Sequence, residues 1–239
     1  MEAIVFDVRI NSLYSIRIPF TWQSALTYPV LPPSAVIGLF ANALQRYKNN
    51  KPPLEYLDVI EENLLWAASR LLTPCVVKSY ITSAIVKWED KLGGKFTNAL
   101  GRQFAYSKKL QIAAIFKNHT LVDVIAEALK SVPLTCGDSE SPIAIEDVFK
   151  VKNVYRNRED LVKTFFPFPI TNNTDIINGS GITYLMHKRC RKTNGTFPLS
   201  SFIVPIRKEN GILLPSILTI KTLGEKGVMR IQGVGDIIL

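Results

Sequence analysis

The sequence predicts an α+β fold of ferredoxin-like (RRM-like) type, with a protruding β-hairpin and a β-rich C-terminal extension. Three observations lead there. Read by periodicity, the elements run strand, helix, helix, strand, hairpin, strand, helix, strand, which is a split β-α-β pattern. Between Val76 and Trp88 β-branched residues dominate, and a second apolar run answers them after a basic, glycine-rich interval. Beyond Arg156 the helical period disappears, and Pro, Asn and Gly punctuate short apolar stretches. The chain of 239 residues is therefore read as a domain over 1–155, with its hairpin at about 88–110, and an extension over 156–239.

Each element has its own signal. Ile4, Phe6, Val8 and Ile10 alternate with more polar residues as a first strand, and Tyr14, Ile16 and Ile18 continue that alternation until Pro19. Thr27-Tyr-Pro-Val-Leu-Pro-Pro-Ser34 is held extended by its prolines. Ser34 is placed to cap a helix from about Ala35 to Tyr47. Gly38 inside that helix costs roughly 1 kcal/mol relative to Ala, either for a close backbone approach or as a tolerated loss. Glu55–Leu72 reads as a second amphipathic helix, Val76–Trp88 as a strand, and Phe104–Phe116 as another. Leu121–Val132 is the last helix, followed by short strands near Leu134 and through Val154. Asn178-Gly and Asn194-Gly mark turns in the extension.

Composition excludes several classes. A hydrophobic content of 47% supports a packed core and argues against disorder. Met1-Glu2-Ala3 lacks the basic, apolar start of a secretory signal, and Pro19, Pro29, Pro32 and Pro33 interrupt the longest uncharged stretch, so a soluble, cytoplasmic protein without membrane contact is expected. Cys75, Cys136 and Cys190 are odd in number and far apart, which fits neither a disulfide framework nor a zinc ribbon. With His119 and His187 the only histidines, no metal or other cofactor is expected.

Charge gives the first functional clue. The formal net charge is +9, and it is segregated. Residues 91–122 hold Lys91, Lys95, Arg102, Lys108, Lys109 and Lys117 with no carboxylate. Residues 161–208 hold seven cations against Asp175, most densely in His187-Lys-Arg-Cys-Arg-Lys192. Such segregation suits a polyanion. Around the glycine-rich hairpin, Phe96, Phe104 and Tyr106 interleave with the cations, and aromatic faces stack unpaired bases. A solvated basic surface would carry the same charges without any ligand. For His187–Lys192, docking on an acidic partner is a further alternative to RNA. The late glycines Gly224, Gly227, Gly233 and Gly235 are no dinucleotide fingerprint, because no helix can follow in four residues.

One string is more specific. Thr27-Tyr-Pro-Val-Leu-Pro-Pro-Ser-Ala-Val-Ile-Gly-Leu-Phe-Ala-Asn-Ala-Leu44 leads through paired prolines into a helix opening that could receive a phosphate. It resembles the N-terminal signature of the fifth Cas family, the CRISPR-associated RAMP subunits of Cascade. Leu134-Thr-Cys-Gly-Asp-Ser-Glu-Ser141 is similar to the Leu-Gly-x-Ser-like loop of that family, with Cys136 before the glycine and Asp138 where basic residues are common. The resemblance covers roughly residues 1–155.

The resemblance implies a non-catalytic subunit of a type I interference complex in antiviral defence. Such a subunit caps the 5′ handle of CRISPR RNA and uses the hairpin as a "thumb". Its partners would be CRISPR RNA, the backbone subunit of the seventh Cas family and, indirectly, other Cascade subunits and target DNA. The RNA-binding candidates are Tyr28, Ser34, Lys91, Lys95, Arg102, Tyr106, Lys108, Lys109, His187, Lys188, Arg189, Arg191 and Lys192. One branch of the family cleaves precursor RNA without metal, which requires a base and a cation near the reacting phosphate. Lys117 and His119 are the candidates for that chemistry, although His119 stands where a helix should begin. The expectation is no enzyme, in the manner of type I-A members. A metal-independent endoribonuclease and a general single-stranded RNA-binding protein are the alternatives.

Overall fold

The computed structural model describes residues 1–21, 24–89, 94–137, 141–171, 174–222 and 227–239, with side chains at all of these except 82–89, 94–100 and 222. Strand β1 (Glu2–Ile10) is its centre. Past it, Tyr14 and Arg17 make isolated bridges to Ala105 and Thr27 instead of continuing the strand, and β2 (Ser24–Ala25) follows. Helix α1 (Pro33–Lys48) begins one residue earlier than the cap expected at Ser34. Pro32 holds the cap position and Pro33 the first turn, where a missing N–H costs nothing. Gly38 on this helix faces open space, so it is a tolerated cost and not a close approach.

Helix α2 (Pro53–Asn63) stops well short of the expected Leu72. Leu64 turns extended, and Leu64–Leu71 forms strand β3. A strand buried on both faces reads as a continuous apolar run, which periodicity cannot separate from a buried helix. A bulge between Leu64 and Trp66 sends Leu64, Ala67 and Leu71 to one side and Trp66 and Ala68 to the other. The long ribbon is β4 (Cys75–Glu89) paired antiparallel with β5 (Gly94–Ser107). The single strand expected over 104–116 is divided by a bend at Lys108, and β6 (Lys109–Phe116) enters a different sheet. Helix α3 (His119–Ser131) is capped by Asn118, whose side chain accepts the Thr120 N–H. Then come β7 (Leu134–Thr135) and β8 (Pro142–Val151).

The central sheet has the order β3-β6-β1-β8-β7, with β1 antiparallel to both β6 and β8. Ile4, Phe6, Val8, Ile112, Ala114 and Phe116 point to the face covered by α1 and α3, in a core that includes Phe40, Ile125 and Leu129. Ala3, Val5, Trp66, Ala113 and Ile115 point the other way and are buried under Phe166, Met229, Ile231 and Ile237.

The C-terminal part supplies that cover. Its strands are β9 (Val154–Arg156), β10 (Leu161–Thr164), β11 (Phe168–Pro169), β12 (Thr174–Asn178), β13 (Ile182–His187) and β14 (Leu199–Val204). They continue as β15 (Ile206–Glu209), β16 (Ile212–Pro215), β17 (Leu218–Thr222), β18 (Val228–Ile231) and β19 (Gly235–Ile238). Three small sheets result, β10-β17-β12, β11-β14-β13 and β19-β18-β9. The strand expected through Val154 thus ends at Val151, and β9 joins β18 instead. The β15–β16 hairpin extends the ribbon sheet through β16–β4 pairing. Its turn, Asn210-Gly211, has φ of 49° and 80° and was missed by the sequence reading despite being an Asn-Gly pair. Met186, Phe202, Val204, Ile206 and Leu213 insert into the same core as α1 and α3.

Candidate nucleic-acid interface

The ribbon combines a buried side with an exposed one because strand side chains alternate. On the inner side Cys75 and Ala105 are fully buried, and Val77 packs partly against the core. On the outer side the register sets Val76 opposite Tyr106, Lys78 opposite Phe104 and Tyr80 opposite Arg102. Tyr80 and Tyr106 are 48% and 46% exposed. The Arg102 guanidinium lies 4.7 Å from the Phe104 ring centroid, and Tyr80 meets the same ring edge-on at 5.8 Å. Three rings and two cations thus share one face, an arrangement that offers stacking surfaces beside phosphate-neutralising charge.

Of the hairpin candidates, the structure brings Arg102 and Tyr106 to this face, and Lys108 is exposed at the bend that ends β5. Lys95 lies in β5 opposite Trp88, with its side chain outside the described residues, as is the whole of Lys91. Lys109 is committed elsewhere, to Glu146 at 2.7 Å, a carboxylate that Arg9 also approaches at 3.3 Å. That bond raises the Lys109 ammonium pKa and lowers that of Glu146. Lys78 and Tyr80 were not singled out from sequence. Their signal was the alternation of Val76, Lys78 and Tyr80, which points to this face only once β5 is set in register.

Tyr28 and Ser34 take structural places. Tyr28 is 2% exposed, donates its hydroxyl to the Leu185 carbonyl and meets the Tyr184 ring at 5.8 Å. It cannot present its ring to a ligand. Tyr14 donates to the Pro29 carbonyl at 2.6 Å and lies 3.7 Å from Cys75 Sγ. The tyrosines therefore bind the Tyr-Pro segment, the ribbon root and β13 to one another. Burial pushes the Tyr14 and Tyr28 hydroxyls well above the ordinary range and Tyr184 up to about 12. Ser34 is half-buried in the first turn of α1, and its carbonyl accepts the Cys190 thiol at 3.1 Å.

The basic segment His187–Lys192 splits in two. Arg189 donates to the Leu64 carbonyl at 3.1 Å and pairs with Glu61 at 3.4 Å. Arg191 pairs with Asp58 and Glu62. Lys188 and Lys192 lie beside the Phe202 and Phe197 rings. Among the described residues, His187 Nδ1 is buried without a hydrogen-bond partner. Lys117 and His119 have different neighbours: the Lys117 ammonium donates to the Glu62 carbonyl, whereas His119 borders an open groove with Asp123, Lys150 and Lys152. Gly137, in the Leu134–Ser141 loop, has φ +83 and no room for a Cβ beside Ile16. Residues 138–140 of that loop lie outside the described residues. Among the described residues no cluster of three or more His, Cys, Asp or Glu is arranged for a metal, and no helix is long and apolar enough to cross a membrane.

Among the described residues the chain is a strand-rich α+β protein with a charged, aromatic face on its ribbon. The comparisons are specific. The family described as CRISPR-associated protein (Cas_Cas5) matches residues 5–166, more than half of the chain, and the chain belongs to that family. A CRISPR protein from Archaeoglobus fulgidus, known from its crystal structure, is 18% identical, with 100% of this chain and 99% of that chain covered and a TM-score of 0.64. A chain of the type III-B Cmr-beta complex, solved bound to cognate target RNA and AMPPnP, is 9% identical, with 88% and 85% covered and a TM-score of 0.51. No curated relative matches the sequence.

Proposed function

We propose that this protein is a non-catalytic, cytoplasmic CRISPR-RNA-binding subunit of a type I Cascade interference complex. It caps the 5′ handle of the RNA and abuts the backbone subunit of the seventh Cas family. The observation that carries the reading is the outer ribbon face, where Tyr80, Phe104 and Tyr106 alternate with Lys78 and Arg102 on a chain of a CRISPR-associated family. Stacking faces and cations on a projecting element suit a single strand better than a duplex, because only unpaired bases offer their faces.

In this reading the sheet order β3-β6-β1-β8 with α1 and α3 on one face is the split β-α-β, ferredoxin-like arrangement of a RAMP domain over 1–155. The β4–β5 ribbon is its thumb, and 156–239 is the extension that covers the second sheet face. The different neighbours of Lys117 and His119 support a binding role over strand cleavage. Filter binding of the purified chain to CRISPR RNA, with and without the repeat-derived 5′ handle, tests the proposal. Tighter binding of the handle-containing RNA, without metal-independent cleavage, is the expected result. Equal affinities at one salt concentration would remove handle recognition, and metal-independent cleavage of repeat RNA would move the protein to the endoribonucleases.

A further inference from the structure

The β13–β14 ladder does not end at His187 and Leu199. The Lys188 N–H donates to the Pro198 carbonyl at 3.0 Å, Thr193 bridges Thr196, and the loop closes on Asn194 and Gly195 at φ of 51° and 80°. Two consecutive left-handed residues make a type I′ turn, the connection that suits a twisted two-stranded ribbon. The basic segment is thus one limb of a finger over 188–198.

Its cations divide by direction. Arg189 and Arg191 turn back onto the carboxylates of α2 and the first carbonyl of β3, so they fix the root. Lys188 and Lys192 are exposed, and among the described residues neither has a carboxylate partner; their ammonium groups lie 6.0 Å from the Phe202 centroid and 5.6 Å from the Phe197 centroid. Phe197 is 47% exposed and is braced edge-on by the His187 ring at 5.9 Å. Residues 187–198 contain no carboxylate. One exposed ring beside the Lys192 ammonium, with no wider apolar patch on the finger, suits a nucleotide better than a protein, since the cores of protein interfaces are depleted of charge.

Position adds to this. Arg189 holds the carbonyl of Leu64, the first residue of β3, while the ribbon begins at Cys75, just past Leu71, the last. At roughly 3.3 Å per residue, those two ends of β3 are at most about 23 Å apart. We propose that the finger is a second single-stranded RNA contact, in which Phe197 stacks on one base and Lys192 neutralises an adjoining phosphate. The proposal rests on the RNA-binding reading above and adds a site outside the outer face of the ribbon.

The test uses the full chain and labelled handle-containing CRISPR RNA, with affinity read by fluorescence anisotropy across a salt series. Phe197→Ala should lose about five- to hundredfold in affinity, and Phe197→Trp should keep most of it. Lys192→Ala should flatten the slope of log affinity against log salt by about 0.7. RNA substituted with 5-iodouridine should crosslink at Phe197. Melting curves of all variants should match the parent, since each altered side chain is exposed. If these variants bind as the parent does while Tyr80, Phe104 and Tyr106 variants lose affinity, the finger proposal fails and the ribbon reading stands. Unchanged RNA affinity with loss of a co-purifying Cas subunit would make the finger a protein dock and overturn the proposal as well. A parent chain that binds no RNA would remove both readings together.

Discussion

The guanidinium of Arg102 lies 4.7 Å from the centroid of the Phe104 ring, one cross-strand position from Tyr80. The cation is thereby held over an aromatic ring while its neighbours Tyr80 and Tyr106 remain about half exposed. This pre-positioning lowers the ordering cost of receiving a base and its phosphate.

Replacing Lys78, Arg102 and Lys108 by Ala should flatten the salt slope of RNA binding by roughly 2 units, at about 0.7 per phosphate contact. Replacing Tyr80 and Tyr106 by Ala should instead weaken binding at every salt concentration, by about 1–3 kcal/mol for each stacked base. The two effects separate in one titration series. An unchanged slope in the triple variant, with native circular dichroism, would show that the ribbon is not the RNA site.

The attachment of 187–192 to α2 should depend unequally on its ion pairs. Glu61 has a side chain only 6% exposed and accepts the Cys190 N–H at 2.6 Å besides pairing with Arg189. Glu61→Ala should cost about 1.5–3 kcal/mol in urea unfolding, because it leaves the Cys190 N–H without its acceptor and takes from Arg189 its carboxylate, though the Leu64 carbonyl still accepts from that guanidinium. Arg191→Ala breaks solvent-exposed pairs with Asp58 and Glu62 and should leave the midpoint where it was. Equal losses in the two variants would contradict this division.

These contacts also show which parts of the molecule a sequence can display. The ribbon was legible because β-branched residues recur along β4, and α3 because its apolar residues keep a helical period. Strand β3 was not, since Leu64, Leu65, Trp66, Ala67 and Ala68 are apolar under either period. Phe104–Phe116 looked continuous because the bend at Lys108 changes sheet without changing composition. The basic segment showed its charge in the sequence, but the partners of Arg189 and Arg191 lie more than 120 residues away, on α2. Tyr28 carried a family signature while its structural role, a hydroxyl reaching β13, depends on a residue 157 positions later.

The C-terminal sheet should depend on Asp236. Its carboxylate is 4% exposed and accepts from Arg230 Nε at 2.7 Å, Asn157 Nδ2 at 3.0 Å and the Lys163 N–H at 3.3 Å. It therefore joins β18, β10 and the segment after β9 at one point. Asp236→Ala should lower stability by about 2–4 kcal/mol, since several donors lose their acceptor at once. Asp236→Asn, which keeps one acceptor oxygen, should lose less. Both are measured by urea unfolding, and a loss below about 0.5 kcal/mol in the alanine variant would show that water replaces these bonds.

Alkaline pH should destabilise the folded protein through its buried thiols and tyrosine. Burial pushes the thiols of Cys75 and Cys190 up to about 11 and the hydroxyl of Tyr184 up to about 12. In the unfolded chain these groups ionise near 8.5 for a thiol and near 10 for a tyrosine. Each folded pKa is raised, so each contribution is fully present below the unfolded value and is lost as pH rises towards the folded one. Thiols act first: stability should begin to fall above about pH 8.5, and Tyr184 should steepen the fall between about pH 10 and 12. Unfolding midpoints in urea at pH 7, 9 and 10.5 measure the thiol contribution directly. Cys75→Ala with Cys190→Ala should flatten the profile below pH 10 while leaving the later tyrosine-dependent fall in place. A parent profile that is level from pH 7 to 10.5 would show that water reaches both thiols in the folded chain.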